Sequence, residues 1–275
     1  MALRIIMLGD IVGKPGRRVV QQHVAELRRE YEADLVLANA ENVAGGSGIT
    51  HALYQRLIGS GLDGLTLGDH CFRQKDITPV MGQLDKLTRP YNLPAAAAGN
   101  GMMTLQSPAG AKLHVITLLG RMYMPGLVGG DPFAAADAFI DSVKDDGGAI
   151  LVEIHAEATG EKLALAHYLD GRVAAVVGSH THVPTADARV LPGGTAYLSD
   201  LGMCGPYDSV LGRRKQRVVQ FMSTAMPAPF DVASDKSDTR LSGAFIQIND
   251  TGQAVHIERI ERAADLGRSP FAEAK

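Results

Sequence analysis

Short apolar runs that alternate with helix-like segments constrain the fold of this chain more than any other feature. The clearest run covers residues 173–177, and its length and valine content are typical of a strand that is buried on both faces. Comparable runs cover residues 3–8, 34–38, 65–68, 112–119, 149–154 and 196–200. Because such strands belong to parallel sheets that helices cover, the pattern predicts an α/β protein.

The segments between these runs supply the predicted helices. They cover residues 17–31, a stretch that Thr50 caps, and residues 76–87, 132–143 and 161–167, whereas residues 213–222 fit a strand or a helix. Residues 242–248 and 254–260 flank a turn and predict a hairpin. We expect an irregular connection over residues 90–108 and a frayed tail from residue 262. The expectation is a single domain over residues 1–275, with two packed sheets or one large mixed sheet.

Composition limits the classes of function. The chain has 275 residues, of which 45% are hydrophobic, and this supports a substantial core. A net charge of −3 provides no basic surface for tight nonspecific DNA binding, whereas a small charged substrate is compatible with it. The apolar runs are too short to span a bilayer, and the two cysteines make no disulfide framework. We expect a cytoplasmic protein without a membrane partner, and a homo-oligomer is a candidate assembly.

Candidate metal ligands follow the predicted strands. They are Asp10, Glu41 with Asn42, Asp69 with His70, His155, and His180 with His182. The carboxyl ends of parallel strands meet at one edge, where open α/β proteins keep their chemistry. Each residue alone has an ordinary explanation, such as a helix cap at Asp10 or a core imidazole at His155. Five such strand ends favour one shared site, and this mixture of carboxylates, imidazoles and an amide suits two manganese or iron ions.

The spacing of two histidines supports this prediction. His180 and His182 follow the run at residues 173–177. Residues two apart on an extended chain point to the same face, so both rings aim at one point if the chain stays extended there. Two imidazoles in that arrangement form a metal chelate, although a pair of exposed loop histidines is an equally open interpretation of this spacing alone.

Five ordered motifs resemble those of a known family. They are Gly9-Asp10, Asn39-Ala40-Glu41-Asn42, Gly68-Asp69-His70, His155-Ala156-Glu157-Ala158-Thr159 and Gly178-Ser179-His180-Thr181-His182-Val183-Pro184-Thr185. They are similar to motifs of the YmdB-like branch of the calcineurin-like metallophosphoesterases, and the similarity runs from Gly9 to about Gly212. The resemblance implies a four-layer α/β/β/α sandwich, a centre of two metal ions, and hydrolysis of phosphodiesters such as 2′,3′-cyclic nucleotides.

The resemblance also implies a role for each candidate residue. The first ion would be bound by Asp10, Asn42 and His182, the second by Asp69, His155 and His180, and Glu41 would bridge both. A hydroxide shared by the ions would attack the phosphorus. His70 would protonate the leaving ribose oxygen or stabilise its charge. Glu157 and Thr159, which follow His155 closely, are expected to orient its ring.

Two positions depart from the patterns of these families. The broader superfamily has histidine where this chain has Val12, and the resemblance implies that Asn42 replaces it. The family usually has asparagine in its Gly-Asn-His motif, where this chain has Asp69. The additional carboxylate makes the centre less positive by one charge. We therefore predict that the ions are held more tightly and polarise the phosphate less.

The same sequence also fits other functions. A regulatory or RNA-processing interaction module with secondary hydrolase activity fits the same motifs, as does a phosphomonoesterase. A metal-dependent amidohydrolase also uses a His-x-His pair, but that pair is expected on the first strand of a barrel. The glycines before Lys14 do not form a phosphate-binding loop, because that loop has four residues between its glycines and Ser or Thr after the lysine.

Overall fold

The computed structural model describes residues 2–127, 129–234 and 238–264. Its strands are β1 (Leu3–Leu8), β2 (Asp10–Ile11), β3 (Leu35–Asn39), β4 (Gly64–Thr66), β5 (Leu87–Thr88), β6 (Met102–Gln106), β7 (Lys112–Leu119), β8 (Ala149–His155), β9 (Ala175–Ser179), β10 (Arg189–Val190), β11 (Ala196–Leu198), β12 (Met203–Pro206), β13 (Thr239–Ile248) and β14 (Ala254–Ala263). Its helices are α1 (Gly13–Glu30), α2 (His51–Gly59), α3 (Pro132–Val143), α4 (Thr159–Leu169) and α5 (Lys215–Thr224), and a short 3₁₀ helix covers Met81–Gln83. None of the described helices is long and apolar enough to cross a membrane.

The strands form two sheets. The first has the order β2-β12-β13-β1-β3-β4-β5, with β14 paired to β13, and the second has the order β10-β11-β9-β8-β7-β6. In the first sheet β1, β3, β4 and β5 are parallel, and β13 joins β1 in the antiparallel direction. In the second sheet β7, β8, β9 and β11 are parallel, between the antiparallel strands β6 and β10. Of the two expected arrangements, the protein has the pair of packed sheets.

Both faces of the central strands are buried, which explains why their sequences are mostly apolar. In β1, Ile5 and Met7 pack between the sheets with residues such as Val115 of β7. Ile6 and Leu8 point the other way, into the cluster that α1 and α2 form on the first sheet. Helices α3 and α4 cover the outer face of the second sheet. These layers confirm the predicted α/β/β/α sandwich.

Residues 76–87 do not form the predicted helix. They form turns, the 3₁₀ helix and β5. Ile77, Met81 and Leu84 are buried, so their helix-like spacing reflects packing of a non-helical segment into the core. Pro79 disfavours the helical conformation at the preceding Thr78, which argues against a helix that begins at residue 76.

Three other segments refine or correct the predictions. Residues 90–108 are not wholly irregular, because they contain β6, which pairs with β7 at the sheet edge. The ambiguous segment at residues 213–222 is largely the helix α5. Strand β14 continues to Ala263, which pairs with Arg240 of β13, so residues 262 and 263 are not frayed. The rest of that predicted tail, residues 265–275, lies outside the described residues.

Candidate metal centre

The carboxyl ends of strands from both sheets meet at one place. The first sheet supplies the residues that follow β1, β3 and β4, and the second supplies those at the end of β8 and after β9. All of the candidate residues come together there: Asp10, Glu41, Asn42, Asp69, His70, His155, His180 and His182. Each of them is buried or half-buried. The strand-end pattern therefore located a real cluster.

Four side chains form one group, here called the Asp69 group: Glu41, Asp69, His155 and His180. One potential ligand atom from each lies within 4.8 Å of the other three. His155 Nε2 lies 3.0 Å from Asp69 Oδ1, 3.1 Å from His180 Nδ1 and 3.4 Å from Glu41 Oε2. Ligand atoms roughly 2.1 Å from one ion stand roughly 3.0–3.4 Å apart in octahedral or tetrahedral geometry. These contacts therefore fit a single divalent cation.

A second group, here called the Asp10 group, consists of Asp10, Asn42 and His182. His182 Nε2 lies 3.3 Å from Asn42 Nδ2 and 3.9 Å from Asp10 Oδ1. Glu41 lies between the groups, because its Oε1 accepts from Asn42 Nδ2 at 3.0 Å while its Oε2 faces the Asp69 group. Asn42 Oδ1 points to His70 Nδ1 at 3.0 Å. A metal ligand at this position requires the opposite amide orientation, which exchanges two groups of nearly equal size.

Asp10 gives the most direct indication that a cation fits this site. Its Oδ1 is buried and has no hydrogen-bond partner among the described residues. Burial raises the pKa of Asp10 to about 8, and the negative charges of Asp200 and Glu153 add to this shift. A buried carboxylate oxygen without a partner is unfavourable, and a cation would satisfy it.

The protonation states of two of the imidazoles suit cation binding. Burial lowers the pKa of His155 to about 3 and that of His182 to about 4, so both rings are neutral and retain a lone pair. Burial, together with the charges of Asp69 and Asp10, raises the pKa of Glu41 well above its usual value. Burial opposes ionisation of Asp69 too, but its contacts with the two histidines of its group hold its pKa below the usual value. An incoming cation would therefore displace protons from carboxyl groups.

The backbone at the His-x-His pair is not extended. Strand β9 ends at Ser179, and φ is +94° at His180 and +65° at His182, in the left-handed region that glycine prefers. The rings consequently turn to different groups: His180 Nδ1 lies 3.5 Å from Asp69 Oδ1, whereas His182 Nε2 faces Asn42. Both rings were expected to aim at one point only if the chain stayed extended, and that condition is not met here. The pair serves two adjacent groups.

Comparison with known proteins agrees with this geometry. The sequence model of the YmdB-like protein family matches residues 6–260. The chain belongs to the YmdB-like family. A relative from Bacillus subtilis (strain 168), named 2′,3′-cyclic-nucleotide 2′-phosphodiesterase, is 45% identical over 259 residues, which cover 94% of this chain and 96% of the relative. The resemblance inferred from the five motifs is confirmed.

Solved structures show the same fold in two similar proteins. A hypothetical protein from Thermus thermophilus has a TM-score of 0.86 and 36% identity, and the match covers 95% of this chain and 99% of that one. A protein from Mycoplasma pneumoniae, described as a novel phosphatase, has a TM-score of 0.88 and 33% identity, covering 96% and 94%. The likeness extends over nearly the whole chain in both cases.

In this YmdB-like protein, His155 contacts residues for which the sequence predicted no role. Its Nδ1 lies 2.9 Å from Ser179 Oγ, which donates to Glu153 Oε1 at 2.6 Å. Asn39 Nδ2 donates to the same oxygen at 2.7 Å, so Glu153 joins a strand of each sheet beneath the site. Glu153 is a charged residue inside the apolar run at 149–154, and that position was the available indication of a buried carboxylate with dedicated partners.

Glu157 lies beside a different histidine from the one expected. Its carboxylate is 3.4 Å from His180 Nε2, and Thr159 is the first residue of α4. The expectation that these two residues orient His155 is wrong, because Ser179 occupies that position. A carboxylate behind an imidazole still fixes the direction of the ring, here that of His180.

Ser179→Ala should weaken cation binding by the Asp69 group. The change removes the hydroxyl that joins His155 to Glu153, so the imidazole loses the contact that fixes its direction. Loss of such a partner typically lowers metal affinity by about 10- to 100-fold. Titration of the metal-free variant with Mn²⁺ measures this effect, and an affinity equal to that of the parent would contradict it.

Proposed function

We propose that this YmdB-like protein is a metal-dependent phosphodiesterase that hydrolyses 2′,3′-cyclic nucleotides. The proposal rests on one observation: two groups of potential ligands share Glu41 beside the buried, unpartnered Oδ1 of Asp10. Paired cations at such a site are well suited to phosphoryl chemistry. The activity for which the B. subtilis relative is named supports the class of substrate.

In this proposal each group would hold one ion, and Glu41 would serve both. Manganese or iron suits ligands that mix carboxylates with imidazoles. When bound, two such ions activate water for attack on phosphorus and offset the charge of the reacting phosphate. The neighbouring thiol is not a rival nucleophile, because burial raises the pKa of Cys71 to about 12.

We propose that His70 acts on the leaving group. Its side chain is 25% exposed, whereas that of Glu41 beside it is 2% exposed, so His70 lies nearer to the opening. Its backbone N–H donates to Glu41 Oε2 at 3.1 Å, and its Nδ1 lies 3.0 Å from Asn42 Oδ1. Burial lowers the pKa of His70, which favours a neutral ring. We therefore assign His70 the stabilisation of charge on the leaving oxygen through an N–H hydrogen bond.

His70→Ala should lower kcat on 2′,3′-cyclic AMP by about 10²-fold or more. The loss on bis-p-nitrophenyl phosphate should be much smaller, because p-nitrophenolate is a stable anion that leaves without help. Measuring both substrates with the same metal-loaded sample provides an internal control for folding and metal content. Equal losses on the two substrates would rule out a role at the leaving group.

Asp69→Asn tests the departure from the family motif. The variant centre is more positive by one charge, so it should release its cations more readily, with Mn²⁺ affinity lower by about tenfold. Turnover per filled site should rise, because a less neutralised centre polarises the phosphate more. Metal affinity and turnover are measured on the same preparation. Equal values for the parent and the variant would refute this account.

A phosphomonoesterase is the second candidate, because the M. pneumoniae protein at 33% identity is described as a phosphatase. Rates on 2′,3′-cyclic AMP, 2′-AMP and 3′-AMP separate the two activities. Preference for the cyclic diester supports the proposal, whereas preference for the monoesters would replace it. A metal-filled protein that hydrolyses none of the three would favour the regulatory or RNA-processing interaction module.

We also propose that the chain acts as one catalytic domain in the cytoplasm. Both sheets contribute candidate ligands, so neither sheet could form the site alone. Cys71 and Cys204 are free and buried, which suits a reducing compartment. The homo-oligomer considered from the sequence stays a prediction.

A further inference from the structure

A buried ion pair lies directly beneath the His-x-His segment. Lys162 of α4 and Asp200, which follows β11, are each 1% exposed. Lys162 Nζ donates to Asp200 Oδ2 at 2.8 Å and to the backbone oxygen of Ser179 at 2.8 Å. Burying both charges is expensive unless every polar atom finds a partner, so such a pair raises the question of what it holds in place.

The pair holds the residue between the two histidines. Thr181 donates to Asp200 Oδ2 twice, from its backbone N–H at 3.1 Å and from its hydroxyl at 2.8 Å. The flanking residues, His180 and His182, both have positive φ, a conformation that side chains other than glycine adopt only under constraint from their surroundings. The double anchor at Thr181 supplies that constraint at the centre of the strained segment.

The same carboxylate also reaches the Asp10 group. Asp200 Oδ1 accepts from the backbone N–H of Gly202 at 2.8 Å, and the backbone oxygen of Gly202 accepts from Asp10 N–H at 3.2 Å. Asp10 Oδ2 in turn accepts from the backbone N–H of His180 at 3.2 Å. One buried aspartate is therefore linked to candidate ligands of both groups.

Gly178 leaves the space that the Lys162 side chain occupies. A Cβ at position 178 would lie 2.8 Å from Cδ of Lys162 and would overlap the backbone oxygen of Ser199. Gly178 therefore allows the Lys162 side chain to pass from α4, across the end of β9, to Asp200. The route of this side chain depends on a residue of the His-x-His motif itself.

We propose that Lys162 and Asp200 are positioning residues that preorganise both cation sites. They fix the left-handed turns that aim His180 and His182 at different groups, and they fix Asp10 beside them. The inference rests on the proposed function, since it assumes that these side chains bind cations. Neither residue of the pair belongs to the Asp10 group or the Asp69 group.

The test is Mn²⁺ binding to metal-free protein, with free Mn²⁺ measured by electron paramagnetic resonance. Lys162→Met and Asp200→Asn should each lower the affinity by about tenfold or more. The affinity of the double variant should fall by a smaller factor than the product of the two single factors. The double variant has no unpaired buried charge, and the amide oxygen of its introduced asparagine still accepts from Thr181. Far-UV circular dichroism and the apo-protein Tm report folding separately.

Two further variants keep the result interpretable. Arg172→Met removes the cation of the exposed Arg172–Asp137 pair, 2.6 Å apart, which lies just beyond the end of α4, and it should bind Mn²⁺ like the parent. Thr181→Val keeps the side-chain shape, removes one of the two anchors to Asp200 and should weaken binding by a few-fold, about 2- to 5-fold. It serves as the test if either charge variant fails to fold.

The outcomes separate this inference from the proposed function. Reduced affinity in the pair variants, with normal affinity in Arg172→Met, supports the positioning role. Parent-like affinity in Lys162→Met, Asp200→Asn and Thr181→Val would overturn it, as would losses that multiply in the double variant. A parent protein that binds no cation would overturn the proposed function, and this inference with it.

Discussion

Glu41→Gln should lower kcat/KM for 2′,3′-cyclic AMP by about 10³-fold, or about 4 kcal/mol of transition-state stabilisation. Glu41 Oε1 lies 3.0 Å from Asn42 Nδ2, and Oε2 lies 3.4 Å from His155 Nε2, so its two oxygens serve both ligand groups. A glutamine offers an oxygen to one group and to the other an amide NH₂, which does not bind cations. Metal content and turnover of one preparation measure the effect, and the variant should hold fewer ions than the parent.

Glu157→Gln is the matched control for this change. In the parent protein the Glu157 carboxylate lies 3.4 Å from His180 Nε2. The Glu157 side chain is 51% exposed, whereas that of Glu41 is 2% exposed. Because solvent screens Glu157 and its contact is with the ring alone, we expect a loss of less than about tenfold. Equal losses in the two variants, or parent-like metal content and turnover in Glu41→Gln, would contradict the bridging role.

Gly68→Ala should abolish cation binding by the Asp69 group and reduce turnover by at least about 10²-fold. An added Cβ would overlap His155 Nε2 and Glu41 Oε2, well inside van der Waals contact. The glycine therefore provides the space in which two candidate ligands approach each other, next to Asp69 in the sequence. Mn²⁺ titration and turnover on the cyclic substrate measure the two effects.

Gly160→Ala is the control for adding a methyl group near the site. Gly160 lies in the first turn of α4, and a Cβ there meets nothing within 4 Å. Alanine favours helix over glycine by about 1 kcal/mol, so this variant should keep its activity and have an equal or higher Tm. If Gly68→Ala bound Mn²⁺ as Gly160→Ala does, the steric account of Gly68 would be wrong.

The location of the site was predictable because it follows from the topology of parallel strands. Each of these strands is a short apolar run, and the residue types after the runs are visible in the sequence. No knowledge of contacts between distant segments was therefore needed to predict Asp10, Glu41, Asp69 and His155 as candidate ligands. The helix layers followed from the same runs, since strands buried on both faces require cover on both faces. The runs left two packed sheets and one large mixed sheet as alternatives, and the family resemblance was what implied the two-sheet sandwich.

What the sequence missed depends on contacts between distant segments. The turn at His180 and His182 departs from the strand pattern because Asp200 anchors Thr181 from another part of the fold. Ser179, rather than the neighbouring Glu157, meets His155, because β8 and β9 pair side by side.

The prediction of a helix at residues 76–87 is wrong for a related reason. Ile77, Met81 and Leu84 have helical spacing, but burial in the core produces that spacing in a segment of turns. Periodicity reports which side chains are buried and leaves the backbone conformation to propensity and tertiary packing. Pro79 was the residue that argued against the helix, because a proline disfavours the helical conformation of the residue before it.

The central claim is that the Asp10 group and the Asp69 group together hold two metal ions, and that the protein uses these ions to hydrolyse phosphodiesters. Elemental analysis of the purified protein, paired with hydrolysis of 2′,3′-cyclic AMP, tests it most directly. We predict about two manganese or iron ions per chain in the parent and about one in His180→Ala, with activity that chelation removes and added metal restores. A protein that contains no metal, and that neither manganese nor iron activates, would contradict the account.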